Sequence, residues 1–136
     1  MELIEENYGW RISFCDGTVQ LIKIDFRLGL LLIDGAHTAD LYFETPFHLI
    51  CSGIDSCCVP DKPESLAASL SLVNKKVNEV RIENSGHMVV DFEAGTSIKV
   101  DPHPSYEAWQ IGGSTGFLLV CRPEEGVSFF KEGPPN

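Results

Sequence analysis

Basic residues are scarce in this chain. Ten Lys and Arg stand against twenty Asp and Glu in 136 residues, a net charge of −10. That surplus repels phosphate backbones and anionic lipid headgroups through long-range Coulomb forces, so neither nucleic acid nor a membrane is an expected direct partner. Long apolar runs are also lacking: the longest, Leu28 to Ile33, falls far short of the roughly 20 residues that span a bilayer. The start, Met1-Glu-Leu-Ile-Glu-Glu6, is acidic where a secretory leader needs basic charge, which makes the cytoplasm the expected compartment. The cysteines (Cys15, Cys51, Cys57, Cys58 and Cys121) are odd in number and form no spaced framework. This argues against a secreted disulfide scaffold and predicts five reduced thiols.

Motifs that carry chemistry are missing as well. Zinc sites draw on paired ligands at short spacings, whereas His37, His48, His87 and His103 are scattered singly and Cys57-Cys58 are adjacent. No metal is expected. Gly112-Gly-Ser-Thr-Gly116 has the glycines of a phosphate loop, but no P-loop lysine follows and Phe117 to Cys121 read as a strand where a helix N-terminus is needed. A hairpin loop is the better reading. With no nucleophile elbow in sight, neither catalytic residues nor a cofactor is expected.

What is present is alternation. Ile22, Ile24 and Phe26 share one face against Lys23, Asp25 and Arg27, the period of a half-buried strand, and Ile98 and Val100 repeat it against Lys99 and Asp101. Asp16-Gly17, Asp34-Gly35, Ser85-Gly86 and Ala94-Gly95 are turn signals, the first suiting a two-residue hairpin. Strands are predicted over 9–15, 18–26, 29–34, 39–44, 47–52, 77–83, 87–93, 96–101, 106–111, 116–122 and 126–130. Pro63, Leu66, Leu70, Val73 and Asn74 predict one helix over 63–73. Phe117 to Cys121 is apolar on both faces, which points to a central strand.

The pattern also recurs. Val19-Gln-Leu-Ile-Lys-Ile-Asp25 returns as Val77-Asn-Glu-Val-Arg-Ile-Glu83, 58 residues on, Leu30-Leu-Leu32 falls on Met88-Val-Val90, and Pro46 returns as Pro104. The expected fold is therefore mainly β: one domain, 1–136, built as an antiparallel sandwich or partly open barrel from two duplicated strand sets, about 19–49 and 77–107, with a frayed tail at 131–136.

Asp101-Pro-His-Pro-Ser-Tyr-Glu-Ala-Trp109 concentrates the unusual residues. As a strand, it sets Glu107 and Trp109 on one face. Buried, that face needs a partner for Glu107 such as Arg122 or His103. Exposed, it makes an acidic and aromatic patch suited to a basic protein.

Val77 to Ile82, Gly86-His-Met-Val-Val-Asp-Phe-Glu-Ala-Gly95, Ile98-Lys-Val-Asp-Pro102, Tyr106-Glu-Ala-Trp109 and Leu119-Val-Cys-Arg-Pro123, taken in order, resemble an uncharacterised family of small bacterial β-rich proteins. The likeness covers about residues 10 to 130, with Tyr-Glu-Ala-Trp its most specific element, and Glu124-Glu125-Gly126 departs from it where more glycine is expected. Some members are encoded near interbacterial toxins. The resemblance implies no activity, but suggests membership of a toxin system. An immunity protein that binds a cognate basic toxin is the leading expectation, with Asp55, Asp61, Glu64, Asp91, Glu93, Asp101, Glu107 and Trp109 as candidate contacts. The alternative is a small-molecule-binding barrel, or an enzyme built on one, with its pocket between the duplicated halves.

Overall fold

The computed structural model describes residues 1–132. It is mainly β, antiparallel throughout, and not closed into a barrel. A three-strand meander, formed by the second half of β2 (Gly9–Ile24), β3 (Leu28–Asp34) and β4 (His37–Phe43), has a counterpart in β7 (Lys76–Glu83), β8 (Met88–Phe92) and β9 (Thr96–Val100). Each meander gives its next strand to the other: β5 (Phe47–Cys51) pairs with β9, and β10 (Trp109–Gly113) pairs with β4. Two strands then complete one side, β11 (Phe117–Arg122) and β12 (Gly126–Lys131), while β6 (Ile54–Cys58) and β1 (Glu2–Glu6) complete the other. The path runs β12-β11-β10-β4-β3-β2-β7-β8-β9-β5-β6, with β1 on β2.

Strand β2 joins the halves because it is continuous. Asp16-Gly17 is not a hairpin turn; between Ser13 and Gly17 the register on β7 shifts, which marks a bulge. A side chain at Gly17 would stand 2.7 Å from Val77 and 2.8 Å from Phe14, so glycine serves packing there and not a positive φ. A second shift, between Val19 and Leu21, resets the alternation. Val19 is therefore buried while Leu21 and Ile24 are exposed, and Phe26 stands in the turn after β2, outside the core face that alternation predicts for it.

The predicted helix exists as a 3₁₀ helix, Pro63–Leu72. Its buried residues are Leu66, Ser69 and Leu72, a period of three in place of the α-helical set, and Leu70 and Val73 are exposed. Serines explain this. Ser69 Oγ donates to the Leu66 carbonyl at 2.6 Å and Ser71 Oγ to that of Ala68 at 2.8 Å, taking up carbonyls three residues back. Two strands escaped the sequence reading, β1 and β6, although Ser52-Gly53 marks the β5–β6 turn, with φ 50° and 82°. Strand β11 is one from the end of the path and not central. Of the tail expected to fray over 131–136, Lys131 instead ends β12 and the Glu132 N–H donates to the Gly116 carbonyl at 2.8 Å; 133–136 lie outside the described residues.

Pro46 and Pro104 do not occupy equivalent places. Three residues, 44–46, link β4 to β5, but eight, 101–108, link β9 to β10, so the second crossing is five residues longer and the constant spacing of the prolines is fortuitous. Buried residues of both halves, among them Leu30, Phe43, Phe47, Val90, Ile98 and Trp109, form one cluster that fills the space between them. No helix among the described residues is long and apolar enough to cross a membrane.

Candidate functional site

The strand registers bring the turns 25–27, 44–46, 59–62, 84–87, 101–108 and 123–125 to one end of the molecule. Two adjoining cavities there share Glu44 and Tyr106. One, about 550 Å³, is lined by Asp25, Phe26, Arg27, Glu44, Tyr106 and Glu107. The other, about 510 Å³, continues over Thr45, Pro60, Asp61, Lys62 and His103.

Loop 101–108 builds most of this rim. Pro102 and Pro104 carry no N–H to donate, so the segment cannot extend β9 as a paired strand. It is tied down at its C-terminal end, where the Ala108 N–H donates to the Cys121 carbonyl at 3.2 Å and the Glu44 N–H to the Ala108 carbonyl at 3.0 Å. His103 Nδ1 accepts the Ser105 N–H at 3.0 Å, and its ring packs 5.1 Å from that of Tyr106. β10 begins only at Trp109, which corrects the strand expected from residue 106. Ala108 and Trp109 are consequently both buried, Glu107 is exposed, and the strand rule that tied Glu107 to Trp109 does not apply. Neither Arg122 nor His103 pairs with Glu107 among the described residues.

Trp109 is completely buried and its indole N–H donates to the Gly86 carbonyl at 2.8 Å, so it anchors the core and is withdrawn from the surface. Exposed aromatic side chains at this end include Phe26, 85% exposed, Tyr106, 66% exposed, and Tyr8, 53% exposed. Phe26 holds φ 69°, a left-handed conformation that a bulky side chain adopts at a cost. An apolar ring held in water on a strained backbone is the least expected feature of the molecule, and the sequence signal for it was only its place at the end of an alternating run.

Charge completes the site. Asp25, Glu44, Asp61 and Glu107 line the two cavities. Arg27 is committed to Asp25 at 3.3 Å and to the face of Tyr42, 4.3 Å from the ring centroid. Partial burial and the nearby Glu107 charge raise the Glu44 carboxyl above its usual value, against a smaller opposing pull from Arg27. Thr45, 5% exposed, has a buried hydroxyl with no hydrogen-bond partner among the described residues. Such a surface can take up cationic side chains and bury aromatic area against a partner.

The remaining expected contacts are dispersed. Asp61 and Glu107 fall within this site; Glu64 is exposed on the first turn of the 3₁₀ helix. Asp101 accepts from His87 Nδ1 at 2.7 Å and Asp55 from His48 Nδ1 at 2.9 Å. Asp91 sits opposite Glu79 on β8, and Glu93 accepts the Lys76 N–H at 3.3 Å at the other end of the molecule. Phe26, Glu44 and Tyr106 were missed because only tertiary structure brings their turns together. All five cysteines are free, and burial pushes the Cys58 and Cys121 thiols above their usual values. Among the described residues no group of three or more His, Cys, Asp and Glu could hold a metal ion.

The chain belongs to DUF6188, a family of unknown function whose model matches residues 10–131. No curated protein and no solved structure matches it.

Proposed function

We propose that this member of DUF6188 is a non-catalytic binding protein whose turn-rich end docks a basic protein, and that the partner is a cognate toxin which it neutralises as an immunity protein in the cytoplasm. The observation that carries the docking surface is the exposure of Phe26 and Tyr106 beside Asp25, Glu44, Asp61 and Glu107. Aromatic side chains dominate the energetics of interfaces, and carboxylates around them steer a cationic partner. The net charge of −10 extends that steering over the whole surface. The toxin identity rests on the family likeness to small β-rich proteins encoded near interbacterial toxins.

Affinity capture from the native host with mass spectrometry, followed by co-expression with the captured protein, tests this. Capture of a basic protein whose toxicity this chain suppresses supports the proposal. Association should be fast at low salt and slow steeply as the Debye length shrinks from about 30 Å at 0.01 M to about 8 Å at 0.15 M. Equal killing with and without the chain refutes the immunity role.

A further inference from the structure

Gly112 is the one described glycine whose missing side chain serves neither backbone nor packing. Seven others sit at positive φ. At Gly17, Gly29 and Gly113, which do not, a Cβ would come within 2.7 Å of Val77, 2.7 Å of Tyr42 and 2.2 Å of Phe117 respectively. A Cβ on Gly112 meets nothing closer than 3.6 Å, at ordinary φ. Glycine inside a strand weakens it, and where no turn or contact demands one it marks a place that something approaches closely.

The strand registers show what lies around it. Asp40, Gly112, Leu118 and Phe130 are successive cross-strand partners on β4, β10, β11 and β12, so they form one row on one face of the sheet. Tyr42 and Gln110 form the next row. The gap over Gly112 is a cavity of about 430 Å³ whose lining includes Asp40, Tyr42, Gln110, Leu118, Phe130 and Glu132. Tyr42 is held in place as one wall, with its ring against the bare backbone of Gly29 and the Arg27 guanidinium 4.3 Å from its centroid. Two carboxylates and no Lys, Arg or His line the trough.

We infer that this trough receives one arginine or lysine side chain of a partner polypeptide. Apolar walls take the alkyl stem and Asp40 and Glu132 supply the counter-charge, while the rings of Tyr42 and Phe130, which already carry Arg27 and Arg122 at 4.3 Å and 5.6 Å from their centroids, bound the space on either side. The inference rests on the proposed basic partner and names how that partner is held beyond the turn-rich end.

The test is a ¹H–¹⁵N NMR titration of the full chain with Nα-acetyl-argininamide, its neutral isostere Nα-acetyl-citrullinamide, and cellobiose. The arginine probe should saturate in the millimolar range with the largest shifts at Tyr42, Gly112 and Leu118, and the citrulline probe should bind roughly tenfold more weakly. Gly112→Leu, which fills the floor, should weaken the arginine probe about tenfold, and the surface change Asp40→Asn provides the same reading if the leucine variant does not fold. Equal binding of citrulline, arginine shifts unchanged in both variants, or saturation by cellobiose alone would overturn the inference. If a basic partner is captured while the arginine probe fails, the trough is wrong and the docking proposal stands; if the probe saturates but the captured partner is not basic, the reverse holds.

Discussion

Asp34 and Glu44 end consecutive stretches of the same meander, yet they lie at opposite ends of the molecule and are put to opposite use. Asp34 is buried, and its carboxylate accepts the Cys15 N–H at 3.0 Å and the Asp16 N–H at 2.9 Å and pairs with the Met1 ammonium at 2.6 Å. Burial alone would raise its pKa, but the ammonium and the two backbone donors outweigh it and bring the group down to about 2. It secures the bulge where β2 passes from one half to the other. Glu44 has no cationic partner of its own among the described residues and is pushed the other way by burial and by Glu107. The Asp34 charge is consumed by folding, whereas Glu44 and Glu107 have no ion-pair partner among the described residues.

Removing the satisfied charge should have the largest effect. Asp34→Ala strands two backbone donors and an ammonium and should cost about 3 kcal/mol in urea unfolding. Because the Asp34 carboxyl lies below its ordinary 3.8, its contribution is complete above that pH and is lost as pH falls through 3.8 toward 2. Asp34 should therefore account for about 2 kcal/mol of the stability lost between pH 6 and pH 2, and the loss in Asp34→Ala should be smaller by about that amount.

The other end should respond in binding. Charge reversal of Asp25, Glu44, Asp61 and Glu107 together should slow association with the captured partner about tenfold or more, as stopped-flow reads it, with the unfolding midpoint little changed. Reversal of Asp91 and Glu93, at the end where Asp34 lies, should slow it far less; equal slowing would erase the distinction between the ends.

Phe26→Gly separates strain from use. Glycine accepts φ 69° freely, so the variant should gain about 1 kcal/mol in thermal or urea unfolding while binding the partner more weakly. A loss of stability would mean that the ring packs usefully in the free protein. The smallest effect belongs to Glu44→Gln. A carboxyl with a raised pKa opposes folding at neutral pH, so neutralising it should leave stability unchanged or slightly higher, within about 0.5 kcal/mol, in contrast to Asp34→Ala.

Much of the fold was legible because turns are local. Asp34-Gly35 and Ala94-Gly95 are read from two residues, and both glycines take the positive φ such turns need. Asp16-Gly17 has the same letters but opposes Val77 of a distant strand, and that partner converts an apparent hairpin into a bulge. Tyr-Glu-Ala-Trp left open whether Trp109 is buried or exposed; it is buried, and Glu107 does not share its face because two prolines delay the strand until Trp109 and break the alternation that tied them.

From sequence alone came the mainly β character, the paired meanders, the turn dipeptides and the acidity, each a matter of composition or of neighbours within a few residues. Tertiary structure decided which carboxylates are satisfied, which aromatic rings remain in water, and which glycine leaves a gap. Those outcomes depend on strands far apart in the chain exchanging places, β5 onto β9 and β10 onto β4, and the partner a residue meets across such an exchange is not written in its own neighbourhood.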